Sequence, residues 1–214
     1  MRKVILNERF IGPALDPRLR WLNPPSAWSL QAKRLVVGPS AKTDFWQQTH
    51  YGFRADNGHF LYLEVPGDFV LTTRLRFHPA HQYDQAGLMV RVGPSCWIKT
   101  SVEYEPKGPS KLGAVVTNYG RSDWSLQDFP RGRKQARLRI RRQRQDFLIE
   151  WNTVKGVRWE LLRVAHLHEA EGKPMQCGLY ACSPKGAGFR AEFDCLQVTP
   201  PLVSSQAGHR QVES

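Results

Sequence analysis

The stretch YDQAGLMVRVGPSCWIKTSVEYE (83–105) decides the fold class. Apolar residues alternate with other residues on both sides of a Gly-Pro-Ser turn, which predicts two short antiparallel strands. The aliphatic side chains of 86–90 and 98–102 then share one face, the natural core face of a sheet. The other face holds side chains that plain packing does not require, namely Arg91, Trp97, Lys99 and Glu103.

The same period-two alternation recurs along the chain, in short runs bounded by Gly, Pro, Asn and Asp. We predict strands near 30–37, 59–65, 69–77, 86–92, 96–104, 112–119, 136–142, 146–152, 157–164, 176–182 and 189–198. Many short strands with frequent turns and little helix predict an all-β fold, a two-sheet antiparallel β-sandwich or jelly roll. No linker divides the chain, so we expect a single domain over 1–198 and a flexible polar tail over 199–214.

Composition narrows the class further. The chain has 214 residues, 41% of them hydrophobic, and seven tryptophans, which is enough for a globular core. Its first residues, MRKVILNERF, hold too short an apolar run for a signal peptide, and no later run reaches membrane-spanning length, so we expect a cytoplasmic protein with no membrane partner. No C-x-x-C pair occurs among the four cysteines, which predicts reduced and mostly buried thiols at Cys96, Cys177, Cys182 and Cys195.

The formal charge of +12 is concentrated in RGRKQARLRIRRQR (131–144), which contains eight basic residues and no acid. Without these eight, 23 of the 31 basic residues remain against 19 acidic ones. The segment predicts a strand with Leu138 and Ile140 pointing inward. Its basic residues form either a patch for weak polyanion association or an exposed strand whose charges deter edge pairing. The predicted patch consists of Arg131, Arg133, Lys134, Arg137, Arg139, Arg141, Arg142 and Arg144.

Strand parity adds Gln85 to the polar face of the opening stretch, where Gly87 would leave room for a ligand. Downstream, VVTNYGRSDWS (115–125) ends a predicted strand with a turn that contains Asp123 and Trp124. A sugar presents an apolar ring face and a rim of hydroxyls, so it needs aromatic platforms beside hydrogen-bonding side chains. The alternative is a solvated face on which Lys99 and Arg91 pair with Glu103.

Four segments carry a family resemblance: DFWQQTHYGFRADNGHFLYLEVPGDF (44–69), YDQAGLMVRVGPSCWIKTSVEY (83–104), VVTNYGRSDWS (115–125) and CGLYACSP (177–184). In this order they resemble the regulation-of-enolase-like family, over most of the chain from Trp21 to Val198. The resemblance implies a concanavalin A-like lectin/glucanase fold whose concave face holds carbohydrate in the wider superfamily. It implies no particular activity.

We therefore expect a protein that binds a carbohydrate or a sugar metabolite on the concave sheet face. The predicted ligand-binding residues are Trp46, Gln85, Arg91, Trp97, Lys99, Glu103, Asn118, Asp123 and Trp124. Trp97 or Trp124 would stack on the sugar, while Lys99 and Arg91 would keep Glu103 ionised.

Two other classes remain open. A glycoside hydrolase would need a second carboxylate beside Glu103, from Asp84 or Asp123. A regulatory protein-binding or polyanion-binding module would use the same face or the basic segment. His166 and His168 are expected to be a surface pair, and no motif predicts a metal or a cofactor.

Overall fold

The computed structural model describes residues 4–153 and 158–201, which form seventeen strands and no helix. The first six strands are β1 (Leu6–Glu8), β2 (Arg20–Leu22), β3 (Ala27–Gln31), β4 (Arg34–Gly38), β5 (Phe45–Gln47) and β6 (Arg54–Asp56). The next six are β7 (His59–Val65), β8 (Val70–His78), β9 (Gln85–Gly93), β10 (Cys96–Glu103), β11 (Lys111–Asn118) and β12 (Arg121–Asp128). The last five are β13 (Gln135–Gln143), β14 (Asp146–Asn152), β15 (Glu160–His166), β16 (Met175–Cys182) and β17 (Arg190–Thr199).

Two large antiparallel sheets form a sandwich. The eight-stranded sheet has the order β15-β14-β13-β8-β17-β4-β3, with β1 also paired to β17. The seven-stranded sheet has the order β12-β11-β10-β9-β16-β7-β2, and β5 and β6 form a separate hairpin. The prediction of an all-β fold, a two-sheet antiparallel sandwich, is confirmed.

The main core lies between the two sheets and follows the predicted parity. Leu88, Val90 and Ile98 of the seven-stranded sheet are fully buried in it, together with Leu138 and Ile140 of the eight-stranded sheet. Strand β13 pairs with β8 on one side and β14 on the other, so it is an interior strand. The interpretation that its arginines protect a sheet edge is therefore wrong.

Three local predictions are corrected. The run 30–37 is a hairpin of β3 and β4, because Ala32 and Lys33 adopt left-handed conformations and turn the chain. The segment SDWS lies within strand β12, whereas the sequence predicts a turn there. The strand predicted at 157–164 is β15, which begins at Glu160, and residue 157 lies outside the described residues. The strand predicted at 189–198 is β17, which ends at Thr199. Of the predicted tail, 202–214 lies outside the described residues.

Gly87 has no space above it for a ligand. A Cβ atom at this position would lie 1.9 Å from the carbonyl oxygen of Thr100 on the neighbouring strand. Gly178, on the next strand of the sheet, meets the carbonyl of Leu61 in the same way. Both glycines allow close approach between adjacent backbones, so the expectation of open room at Gly87 is wrong.

The four cysteines are free thiols. Cys177 lies in the main core and Cys182 on the other side of the sheet, as their five-residue spacing predicts. Over the described residues, no helix is long and apolar enough to cross a membrane. In that same part of the chain, no three His, Cys, Asp or Glu side chains are grouped to hold a metal ion.

Candidate functional site

The β5–β6 hairpin lies on the outer face of the seven-stranded sheet, over a second apolar cluster. Phe45 is at its centre, with edge contacts to Trp97 and Tyr180 at ring-centroid distances of 6.3 Å each. Trp97 is 0% exposed, and its indole N–H donates to the carbonyl of Pro94. The prediction that Trp97 stacks on a ligand is therefore wrong, because the hairpin covers it.

Two ion pairs fasten this hairpin to the sheet. Arg91 donates two hydrogen bonds to Asp56, at 2.6 and 2.7 Å. The ammonium of Lys99 lies 2.9 Å from Oδ1 of Asp44. Both cations are buried, so the alternative of a solvated face on which they pair with Glu103 is also wrong. The cations of the opening stretch anchor the hairpin.

A pocket of about 460 Å³ opens between this hairpin, the sheet and the 83–85 and 184–185 segments. One wall is aromatic and consists of Trp46, Tyr51, Phe53 and Trp124. The ring of Trp46 lies 5.5 Å from that of Tyr51 and 6.4 Å, edge-on, from that of Trp124. Tyr51 and Phe53 are 56% and 46% exposed, so this wall presents apolar surface to the solvent.

The facing side of the pocket is a chain of polar contacts. Lys99 bridges Asp44 and the side-chain oxygen of Gln85, at 2.9 Å to each. The amide nitrogen of Gln85 donates to Oε2 of Glu103 at 3.3 Å, and the hydroxyl of Tyr180 donates to the amide oxygen of Gln85. The buried amide is thereby satisfied and holds Glu103 in a fixed position.

Burial raises the pKa of Glu103 to about 7. The nearby ammonium of Lys99 lowers this pKa in part, whereas the carboxylates of Asp44 and Glu105 raise it. Arg91 is engaged with Asp56 and takes no part. The expectation that Lys99 and Arg91 keep Glu103 fully ionised is wrong, and near neutral pH this carboxyl group exists in both protonation states.

The nine predicted ligand-binding residues fall into three groups. The pocket is lined by Trp46, Gln85, Lys99, Glu103 and Trp124. Arg91 and Trp97 lie on the same face of the sheet but are covered by the hairpin. Asn118 and Asp123 point to the opposite face, toward the other sheet, and their predicted convergence with the rest is wrong.

Strand parity explains the last group. Because SDWS belongs to strand β12, Asp123 and Trp124 project to opposite faces. Asp123 pairs with Arg163 of β15 at 3.0 Å. Asn118 donates to the carbonyl of His166 and accepts from the backbone N–H of His168. Both residues connect the edges of the two sheets.

The carboxylates proposed as catalytic partners of Glu103 are engaged elsewhere. Asp84 is fully buried and accepts hydrogen bonds from the backbone N–H groups of Ala80 and His81 and from the hydroxyl of Ser183. Asp123 faces away from the pocket. The second carboxylate of the pocket is Asp44, which is paired with Lys99.

Sequence reasoning missed several pocket residues: Lys42, Thr43, Asp44, Tyr51, Phe53, Ala55, Tyr83, Val115, Pro184 and Lys185. Most of them belong to the hairpin or flank it. The signal for that hairpin is the pair of short alternating runs in DFWQQTHYGFRAD (44–56), with aromatic residues on each side of the turn.

The basic segment is divided among different environments. Arg139 and Arg141 both contact Glu150, at 2.7 and 3.0 Å, and Arg137 and Arg139 lie over the ring of Trp159. Arg142 is buried, and its guanidinium donates to the carbonyls of Arg144, Ala170 and Lys173. It belongs to the structure of the 170–173 turn, so its inclusion in a surface patch is wrong. Arg131, Arg133, Lys134 and Arg144 are exposed.

The histidine pair lies at the surface. The rings of His166 and His168 are 4.8 Å apart, and His166 lies 2.7 Å from the carboxylate of Asp146. Tyr119 stacks on His168 at 5.2 Å.

A family model described as "Protein of unknown function (DUF1349)" matches residues 21–201. The chain belongs to this family. One similar protein is Regulation of enolase protein 1 of Saccharomyces cerevisiae, which is 33% identical over 182 residues, covering 85% of this chain and 89% of the relative. The resemblance to regulation-of-enolase-like proteins is thus confirmed.

Solved structures agree with the fold of this DUF1349 member. The crystal structure of a functionally unknown protein from Saccharomyces cerevisiae matches with a TM-score of 0.80 and 32% identity, over 86% of this chain and 97% of that one. A xylan beta-1,4-xylosidase from Bacillus halodurans matches with a TM-score of 0.75 over 93% of this chain but only 40% of that one. At 14% identity, this structural match shows a shared sandwich fold and nothing more.

Replacing Arg91 with Met should lower the free energy of unfolding by about 2–3 kcal/mol, because it leaves Asp56 without its partner. The expected loss is below that of a fully buried pair, since the Asp56 side chain is one-third exposed and regains water. Urea unfolding measures it. Lys111→Met is the matched control, because it breaks the exposed pair with Asp128 and should cost less than about 1 kcal/mol. Equal losses for the two variants would show that Arg91 does not anchor the hairpin.

Glu103→Gln should stabilise the protein increasingly as the pH rises from about 4.5 to 7. In this window the folded chain keeps a proton on Glu103 that the unfolded chain has released, so the wild type loses stability as the pH rises, on the order of 1–3 kcal/mol. The neutral amide has no such loss. Chemical unfolding at pH 4.5, 6 and 8 measures the difference. Glu105→Gln is the control, because a hydrogen bond from Gln82 lowers the pKa of that exposed group. A gain that is independent of pH would contradict the raised pKa.

Proposed function

We propose that the pocket binds a saccharide or a sugar-like small molecule. The observation that carries this proposal is the opposition of an exposed aromatic wall to a fixed polar chain that ends at Glu103. An aromatic wall suits the apolar face of a sugar ring, and the polar chain suits its hydroxyls. A volume of about 460 Å³ is in the range of small-molecule sites.

Trp124 and Trp46 supply the stacking surface in this proposal. Trp124 is 36% exposed at the pocket, whereas Trp46 is nearly buried and fixed by a hydrogen bond from its indole N–H to the carbonyl of Thr49. Trp46 therefore supports the wall, and Trp124 offers the accessible ring face. Glu103 orients the ligand, because a carboxyl group with a pKa of about 7 donates to one hydroxyl or accepts from another.

The fold of the xylosidase from Bacillus halodurans supports the proposal only weakly. The name of that protein says that it acts on xylan, but the part that matches this chain is only 40% of its length and is 14% identical to it. A pocket in this chain therefore has to be judged by its own residues. Because Asp84 and Asp123 do not face Glu103 and Asp44 is paired with Lys99, binding without turnover is the better-supported activity, and hydrolysis is an outcome to be tested.

Trp124→Ala should weaken saccharide binding by about 1–3 kcal/mol, the contribution of one aromatic stacking surface. We would first screen neutral monosaccharides, sugar acids, sugar phosphates, xylo-oligosaccharides and gluco-oligosaccharides by thermal shift, and then measure affinities by calorimetry. Trp28→Ala is the matched control, because Trp28 is 42% exposed on a strand of the other sheet. The proposal would be refuted if none of these saccharides binds, or if Trp124→Ala leaves their binding unchanged.

The same saccharide panel distinguishes a binding module from a hydrolase and from a protein-binding module. Release of reducing ends that Glu103→Gln abolishes would show a hydrolase. Thermal shifts without release support a binding module. Capture of a protein partner that Trp124→Ala prevents, with no saccharide binding, would assign this face to protein recognition.

We also propose weak polyanion association through the outer face of the eight-stranded sheet. On this face Asp194 is shared by Arg34, Arg74 and Arg76, and Glu192 contacts Arg34 and Arg190, so two acids neutralise four arginines only in part. Register places Arg74 directly beside Arg137 on β13. The exposed loop 131–134 adjoins the same end of the sheet, where the N–H of Phe77 donates to the carbonyl of Lys134. A surplus of positive charge therefore extends from the sheet into the loop.

Substituting Arg131, Arg133 and Lys134 together with Ala should weaken binding to duplex DNA and make its salt dependence less steep, by about 0.9 in log–log slope for each phosphate that is no longer neutralised. Fluorescence anisotropy between about 50 and 200 mM salt measures the slope. Alanine at Arg20, Lys107 and Arg121 removes the same charge from exposed positions on or beside the seven-stranded sheet and is the control. The association is refuted if both triple variants behave alike, or if affinity does not depend on salt.

A further inference from the structure

Two lysines at the mouth of the pocket have no acidic partner within the described part of the chain. Lys42 and Lys185 both line the pocket. Among the residues that the structure describes, neither ammonium forms an ion pair with a carboxylate. Lys185 lies over the ring of Tyr83, 5.5 Å from its centroid, and so remains directed at the pocket.

The backbone holds these two lysines on adjacent segments. Ala41 forms a parallel bridge with Ser183, and the N–H of Ser183 donates to the hydroxyl of Thr43 at 3.0 Å. Lys42 adopts a left-handed conformation with φ of 61°, and its carbonyl accepts a hydrogen bond from Asn57. A non-glycine residue in this conformation is held there by its surroundings, so the backbone of Lys42 has a defined position beside the pocket.

The charges of the pocket do not balance. Its lining contains three lysines and two acidic residues. Asp44 is taken up by Lys99, and Glu103 is held by the neutral amide of Gln85 and is partly protonated near neutral pH. The mouth therefore keeps an uncompensated positive charge from Lys42 and Lys185. A cleft lined by one sign of charge concentrates ligands of the opposite sign.

We propose that the ligand is a saccharide with an anionic group, either a carboxylate or a phosphate, which Lys42 and Lys185 hold while the ring packs against the aromatic wall. This inference rests on the proposed function and names its ligand class. Lysine ammonium groups bind such anions as mobile point charges, which suits a site at the solvent-exposed mouth. A neutral sugar would leave both ammonium groups without a partner.

Matched sugars test the inference. We would titrate the full-length protein with glucose, glucuronate and glucose 6-phosphate, and with galactose, galacturonate and galactose 6-phosphate, at one ionic strength. The anionic member of a set should bind about tenfold or more tightly than its neutral parent. Comparison of the two anionic members distinguishes a carboxylate from a phosphate as the group that is recognised.

The double variant Lys42→Gln/Lys185→Gln should abolish the preference, so that the anionic sugar and its neutral parent bind the variant with equal affinity. Lys33→Gln/Lys173→Gln removes the same net charge at exposed positions that do not line the pocket and should leave the preference intact. Equal affinity of the wild type for neutral and anionic sugars would overturn the inference. So would a preference for the anionic sugar that the Lys42→Gln/Lys185→Gln variant retains. Either result would leave the proposed function standing. If no sugar of either kind binds, the inference and the proposed function both fail.

Discussion

Two ion pairs hold the β5–β6 hairpin against the outer face of the seven-stranded sheet, and the candidate site depends on them. Arg91 and Lys99 lie on adjacent strands of the sheet. At the base of the hairpin, Arg91 pairs with Asp56 and Lys99 pairs with Asp44. Between the pairs, the ring of Phe45 lies within a buried apolar cluster. Ion pairs are directional, whereas apolar burial is not, so the pairs fix the register of a hairpin that the apolar contacts alone would hold only loosely.

The docked hairpin produces the pocket by supplying one of its two sides. Trp46, Tyr51 and Phe53 come from the hairpin and its turn, whereas Gln85, Lys99 and Glu103 come from the sheet. Lys99 serves both purposes, because the ammonium that anchors Asp44 also orients the amide of Gln85. The interaction that holds the hairpin therefore also fixes the hydrogen bond at Glu103.

The fold was predictable from local signals, and the site only in part. Period-two alternation identifies the strands, and the aliphatic sets of β9 and β10 identify the core face, because both patterns are local. The partners of Arg91 and Lys99 lie 35 and 55 residues away in the sequence. A row of cations on a strand face is equally consistent with a ligand site and with an anchor, and only the position of the hairpin decides between them. Similarly, Gly-Arg-Ser-Asp (120–123) is typical of a turn, but only Gly120 lies in the turn. Pairing with β11 places Arg121, Ser122 and Asp123 in a strand, and this sends Asp123 to the far face.

Because the aromatic wall and the polar chain belong to different parts of the chain, ligand binding and hairpin docking are thermodynamically linked. A ligand that touches both Trp46 and Glu103 binds only the docked arrangement, so it stabilises that arrangement in proportion to its occupancy. The reverse also holds, since any change that loosens the ion pairs reduces the fraction of molecules competent to bind and lowers the apparent affinity by that fraction. The raised pKa of Glu103 adds protons to this linkage: a ligand group that accepts a hydrogen bond from Glu103 favours its protonated form, and an ammonium or hydroxyl that donates to it favours the carboxylate. The chemistry of the bound group and the pH therefore act on the same carboxyl group, which the hairpin anchor holds in place through Lys99 and Gln85.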